Sequence, residues 1–485
     1  MTSSPPEQHP SLAVAVLCGA GIVVSLMQTI IVPLIPLLPT LLETSPTNAS
    51  WALTITLLVG AVVTPIAGRL GDMFGKRRVL AASMAAVALG SAVCAVAPGL
   101  LLFLVGRGLQ GLGIGAVSVG ISLMRDIVPA ARLGPAVGAM SASLGVGGAL
   151  GLPFAAVIAQ QLSWQALFWV SGAVALLALV AVLATVPTHG EATGGRFDAV
   201  GAVGLTALLT CVLLALSKGA AWGWASPTIL GLFGAFVVFS ALWWRWERRH
   251  RNPLINLELN IARPVLLTNI SSVAVGYAFY AMQMIPIQLL MDPTSAMSAG
   301  SVGMGLSMVL AALVLMPGGL VMFAFSYVSA EITRQRGPRI SLSLGAAVLG
   351  VGYGLLLLML GGPWQGAWWW LLCINIVVGA GLGIAFSAMP ALIMLWVPVS
   401  HTGEANGVNA LMRSIGTSAA TAVVGMILAA SRVVVPGPDD VGPVSVPTSS
   451  AYLWAAGIAL AACVISALTA FAVPRQPPIE EHRIL

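Results

Sequence analysis

The chain has 485 residues, of which 58% are hydrophobic and only 7% charged. A soluble domain carries roughly 25% charged residues, so this composition excludes a water-solvated globule and demands an apolar solvent. The net charge of +6 comes from 21 basic and 15 acidic residues; the basic ones fall in short clusters between apolar runs, which is the pattern of cytoplasmic loops and excludes a nucleic-acid surface.

A membrane-crossing helix needs about 20 apolar residues. Runs of that kind begin near Leu12, Trp51, Val79, Leu100, Leu133, Trp164, Ala199, Thr228, Pro264, Ala299, Ile340, Trp368, Gly403 and Ala451. An all-α integral membrane protein of fourteen spans is therefore expected, with both termini on one side. The first run follows a segment, Met1 to Ser11, without Lys or Arg, and it is too long for a cleaved signal, so it reads as a retained helix. The loops after spans 2, 4, 6, 8 and 10 hold Arg69, Lys76, Arg77, Arg78, Arg125, Arg132, Arg196, Arg245, Arg248, Arg249, Arg251, Arg263, Arg334, Arg336 and Arg339, and the tail adds Arg475 and Arg483. The opposite loops hold Lys218 and Arg432 alone. Both termini are thus expected in the cytoplasm.

The inside linkers Pro187 to Asp198 and Glu247 to Arg263 divide the spans into six, two and six. The expected units are 1–186, 187–263 and 264–485. Val433 to Ser450, rich in Pro and Gly, is expected to be a flexible outer loop. A weak internal repeat supports the division: Gly68-Arg-Leu-Gly-Asp72-Met-Phe-Gly75-Lys-Arg77 aligns with Ala330-Glu-Ile-Thr-Arg334-Gln-Arg-Gly337-Pro-Arg339. Gly75 matches Gly337 and Arg77 matches Arg339, while the charges are exchanged: Arg69 faces Glu331 and Asp72 faces Arg334. Two similar halves with a site between them is a transporter architecture.

Within the first half, Gly68 and Gly75 permit a tight turn, Asp72 can accept hydrogen bonds, and Lys76 and Arg77 hold the loop at the charged surface. Arg107 lies roughly 13 Å inside span 4. A guanidinium there costs at least about 2.5–3.5 kcal/mol, so it needs a cavity or a partner. Span 5 carries Gly138, Gly147 and Gly151 with Pro153 after them, which suits close helix approach and removes a backbone donor.

In the second half, Asn269, Ser272, Gly276, Tyr280 and Gln283 form one polar stripe on span 9. The nearby methionines Met282, Met284, Met291, Met304 and Met308 suit either core filling or a promiscuous surface. Span 13 reads Gly403-Glu404-Ala-Asn406-Gly-Val-Asn409-Ala-Leu-Met-Arg413, and Arg413 reaches a depth like that of Arg107. Met27, Gln28, Gln110, Asn375 and Asn409 complete the candidate substrate cavity with Asn269, Tyr280 and Gln283. No carboxylate lies deep in any span: Glu43, Asp126, Asp292 and Glu404 all sit near span ends.

The five cysteines lie singly in five runs, and the five histidines in tails or loops. No disulfide framework, metal site or cofactor is expected. The pattern GxxxxGK[ST] is absent, so ATP is not the energy source.

Gly68 to Arg78 resembles the loop 2–3 signature of the major facilitator superfamily, and Arg107 with its glycine-rich surroundings resembles that superfamily's fourth-span signature. Span 5 resembles its antiporter signature, with two departures: the proline is displaced by one residue, to Pro153, and Ala155-Ala156 replaces a Gly-Gly pair. Span 13, Phe197-Asp198, Trp222-Gly-Trp224, and Trp246-Glu247-Arg248-Arg249 with Pro253-Leu254 are similar to the fourteen-span drug:proton antiporter family. The resemblance covers nearly the whole chain. It implies two six-helix bundles with spans 7 and 8 inserted between them. It also implies an Asp72 bridge to the start of span 13, and a proton-coupling role for Arg107. Glu404, Asp126 and Arg413 are the other candidates for coupling and cavity charge. Many relatives carry an aspartate in span 1 where this chain has Met27.

The function expected is therefore a proton-coupled exporter of small amphipathic compounds in a bacterial inner membrane, with small molecules and protons as partners and no enzymatic activity. A lipid or metabolite exporter of the same fold, and a non-transporting receptor or scaffold, are the alternatives. With two deep arginines and no deep acid, neutral or anionic cargo is expected.

Overall fold

A computed structural model describes residues 10–31, 34, 38–49, 51–161, 163–187, 194, 196–295, 300–362, 366–436 and 443–475. The tail arginine Arg483, the loop residue Asp439 and the histidines His9, His189 and His482 lie outside them. Among the described residues, 14 helices are long and apolar enough to cross a membrane. In the first half these are α1 Pro10–Thr29, α2 Trp51–Phe74, α3 Lys76–Ala95, α4 Leu100–Ile127, α5 Ala130–Gln161 and α6 Trp164–Thr185. Next come α7 Ala199–Trp222 and α8 Pro227–Glu247, and then α9 Arg263–Met291, α10 Met308–Arg336, α11 Pro338–Gly361, α12 Trp368–Trp396, α13 Thr402–Ala430 and α14 Ser449–Ala472. Helices follow from the solvent, because a backbone in lipid must satisfy its own polar groups. Pro65, Pro153, Pro286, Pro317 and Pro390 sit inside helices, where packed neighbours tolerate them.

Two expectations are corrected. The tenth span begins at Met308, not near Ala299, because Gly300 and Gly305 take positive φ values of 79° and 64°. The chain there turns back on the end of α9 through Met304 N–H to Leu289 O and Gly305 N–H to Asp292 O. The outer loop expected to be flexible holds a hairpin, in which β1 Arg432–Val435 pairs antiparallel with β2 Val444–Pro447. Alternating valines give that hairpin one buried edge at Val435 and Val446.

The apolar core divides by half. One cluster runs from Leu17 to Val186, with Met394 of α12 joining it, and another from Val275 to Val473. A third holds α7 to the seam: Leu205, Leu208 and Leu209 pack with Ala61 of α2 and with Val408 and Leu411 of α13. Helix α8 reaches the body mainly through α7, with Trp243 Nε1 donating to Gly201 O at 3.0 Å.

The weak repeat has a structural counterpart. Gly75 and Gly337 both take positive φ, 102° and 84°, and each starts the third helix of its half. Arg77 donates to Leu183 O in the last turn of α6, and Arg339 donates to Phe471 O in the last turn of α14. Each arginine thus meets the negative end of the sixth helix of its own half.

Candidate functional site

The halves meet first at the arginine-rich face. Asp72, 4% exposed, lies in the last turns of α2 and points across the seam at the N-terminus of α13. Its carboxylate accepts from Gly403 N–H at 3.1 Å and from Glu404 N–H at 2.9 Å. These are donors that a helix N-terminus leaves without intrahelical partners, and the helix dipole favours a negative charge there. The approach requires glycine on both sides: a Cβ on Gly68 would strike the Gly403 carbonyl, and one on Gly403 would lie 2.6 Å from Asp72 Oδ1 and Gly68 O.

A ring of charge surrounds this contact. Lys76 Nζ lies 2.7 Å from Asp126 Oδ2 and 3.7 Å from Asp72 Oδ1. Arg125 crosses the seam and donates to Val397 O at 3.1 Å and Thr402 Oγ1 at 2.6 Å. Glu404 is 1% exposed. It faces Arg69 at 3.7 Å and His401 Nδ1 at 3.1 Å, and accepts from Asn256 N–H and from Asn260 Nδ2 at 3.5 Å. Asn256 and Asn260 belong to the segment joining α8 to α9, so the inserted pair reaches the same contact.

Arg69, Arg125, Asn256, Asn260 and His401 were not among the candidate residues. Arg69 and Arg125 were legible only as topology charges. The two asparagines carried no periodic signal.

A second interface joins α5 to α10 and α12. Gly138 packs against Ser326 and Ser387, with a Cβ position 3.0 Å from Ser326 O. Gly147 and Gly151 turn instead to α1, against Ile22, Ser25 and Thr29, and Ser25 Oγ donates to Leu144 O at 2.5 Å. Pro153 is half-buried on the same helix.

Deeper along this interface α5, α9, α10 and α12 line a narrow cleft. Gly145, Gly148, Phe279, Met282, Gln283, Met322 and Asn375 are among the residues that line it. Of the predicted cavity residues, Gln283 and Asn375 lie on its wall. Asn375 Nδ2 donates to Leu315 O at 2.6 Å.

The other candidates lie elsewhere. Arg107 is 0% exposed inside the first half. Its Nε donates to Ala52 O at 3.0 Å, and its Nη1 donates to Met27 O at 3.2 Å and Gln110 Oε1 at 2.5 Å. Gln110 passes the chain on to Ser91 Oγ at 2.8 Å. Met27 and Gln110 are buried in this network, and Gln28 is half-buried on α1. Asn409 Nδ2 bridges Asn269 Oδ1 at 3.0 Å and Ser272 Oγ at 2.7 Å, tying α13 to α9 within the second half. Tyr280 is half-buried on α9. The Arg413 guanidinium lies over the Phe386 ring, 4.7 Å from its centroid.

The model of the Major Facilitator Superfamily matches residues 17–215 and 195–421. The chain belongs to the Major Facilitator Superfamily. Its sequence is 28% identical over 441 residues to the tetracenomycin C resistance and export protein of Streptomyces glaucescens, covering 90% of this chain and 78% of that one. It is 29% identical over 405 residues to the MFS-type transporter Rv1877 of Mycobacterium tuberculosis, covering 82% of this chain but only 57% of that relative's length. The fold is similar to the human organic anion transporter MFSD10, with a TM-score of 0.64 at 16% identity, covering 97% and 100% of the two chains. It is similar also to the proton:xylose symporter XylE, with a TM-score of 0.65 at 14% identity, covering 96% of each. This major facilitator protein is a multi-pass membrane transporter and not an enzyme.

Proposed function

We propose that this chain exports small amphipathic compounds across a bacterial plasma membrane by proton-driven alternating access. The arginine-rich face is then cytoplasmic, both termini lie there, and spans 1–6 rock against spans 9–14. The observation that carries the reading is the pair formed by a closed contact and a cleft. Asp72 seals the halves at the arginine-rich end, while the same halves part around the space lined by Gln283 and Asn375. A transporter needs one side shut while cargo sits between its halves.

The acids available for coupling are Asp72, Asp126 and Glu404. Asp72 and Glu404 take part in bonds across the seam, and Asp126 holds Lys76 beside Asp72. Protonating Asp72 would remove the charge that draws it to the α13 N–H groups and to Lys76, so protons would loosen the cytoplasmic seal. The export role of the tetracenomycin C relative supports the export reading. The test is transport in proteoliposomes, with and without an imposed pH gradient, across a compound panel. Gradient-dependent movement supports the reading, and compound binding without any movement would favour a receptor.

A further inference from the structure

We propose that the cleft selects uncharged aromatic compounds that carry a hydrogen-bonding group, and discriminates against lipophilic cations. This rests on the exporter reading, because it assigns the cargo of the same cleft.

The wall chemistry comes first. None of the described residues lining the cleft carries a charge, and the polar side chains among them are the two amides, Gln283 and Asn375. Gln283 is exposed although it lies well inside α9, so its amide faces the open space and can donate or accept. Met282, Met316 and Met322 add polarizable thioethers, which adapt to aromatic faces, and Phe279 adds a ring. Opposite, Gly148 leaves bare backbone on the wall, suited to a flat ligand edge.

Charge comes next. Arg107 is bound to carbonyls and Gln110 within the first half, and does not line the cleft. Arg413 stands behind two rings: its guanidinium covers Phe386, and Phe386 meets Phe279 edge-to-face with centroids 5.6 Å apart. A cation entering the cleft would lose its hydration, find no carboxylate on the wall, and feel Arg413 as a like charge. An anion would gain from the distant field of Arg413 but reach no cationic hydrogen-bond donor. A neutral ring with one polar group loses little on entry and finds an amide. The structure thus narrows the sequence-based expectation of neutral or anionic cargo to neutral cargo.

The test is equilibrium binding to the purified full-length chain with three phenyl-bearing probes: tetraphenylphosphonium, triphenylphosphine oxide and tetraphenylborate. The oxide should bind saturably and at least about tenfold more tightly than the phosphonium, since an uncompensated charge is costly to bury. Gln283→Glu should reverse that order by placing a counter-charge on the wall, with the phosphonium gaining about tenfold or more. Gly148→Leu should abolish saturable oxide binding by filling the cleft. Its Cβ meets nothing nearer than Ser25 Oγ at 3.9 Å, so the backbone accommodates it. Tighter wild-type binding of phosphonium or borate than of oxide, no saturable oxide binding, or an unchanged order in Gln283→Glu would each overturn the inference. Oxide selectivity as expected, without gradient-driven transport of any compound in proteoliposomes, would uphold it and sink the exporter reading instead.

Discussion

Asp72 is the side chain we propose sets the conformational equilibrium. Two backbone N–H groups of α13 donate to its carboxylate, and hydrogen bonds to a charged group contribute about 1.5–3 kcal/mol each. Asp72→Asn keeps the size, offers one acceptor oxygen and removes the charge. Its expected effect is a shift of about tenfold or more toward states open at the arginine-rich face, read as faster labelling of cysteines placed along that end of the seam. Unchanged labelling and transport would leave Asp72 as a topology signal. Gly68→Ala approaches the same contact by sterics, because its Cβ would strike the Gly403 carbonyl. It should raise labelling as well while leaving the charge in place, and an Ala variant indistinguishable from wild type would show that the helices are not held so close.

Among the elements, the inserted pair and the α9–α14 contact make separable predictions. Asp198 caps α7 by accepting from Gly201 N–H at 2.8 Å, and also accepts from Trp246 Nε1 of α8 at 3.0 Å. Asp198→Ala loses both, and should cost about 1–2 kcal/mol, seen as a lower midpoint of thermal unfolding in detergent. On the opposite side, Tyr452 of α14 donates to Asp292 Oδ2 at 2.6 Å, just past the end of α9. Burial raises the Asp292 carboxyl above its ordinary range, while the Tyr452 bond and the charge of Arg432 pull it down. The folded protein therefore holds this proton more tightly than the unfolded chain. Stability from this group is full below the unfolded pKa and is lost as pH rises from about 4 through the folded value. Asp292→Asn should flatten that slope in a pH series of unfolding midpoints; an unchanged slope would assign it to other carboxylates.

For the whole molecule, the fourteen spans were legible because apolar length is written directly in composition, and the Asp72 contact because the resemblance of Gly68 to Arg78 to the loop 2–3 signature implies it. What a helix rotation decides was not legible. Met27 and Gln110 looked like cavity residues by depth, yet both turn into the Arg107 network, whereas Gln283 and Asn375 turn to the cleft. Nor could one chain segment reveal that Asn256, in a linker, would donate to Glu404 on α13, since long-range pairs leave no periodic trace. On the proposed reading, the arginine-rich seal, the cleft and the uncharged wall belong to a carrier driven by protons meeting acids at the seam. The most direct measurement is proton flux in proteoliposomes with a trapped pH dye, an acid-outside gradient and a compound panel loaded inside. Faster collapse of the gradient when a transported compound is present, slowed in Asp72→Asn, is the predicted result. A gradient that decays at the same rate with and without every compound, or compound efflux indifferent to the gradient, would contradict proton-driven export.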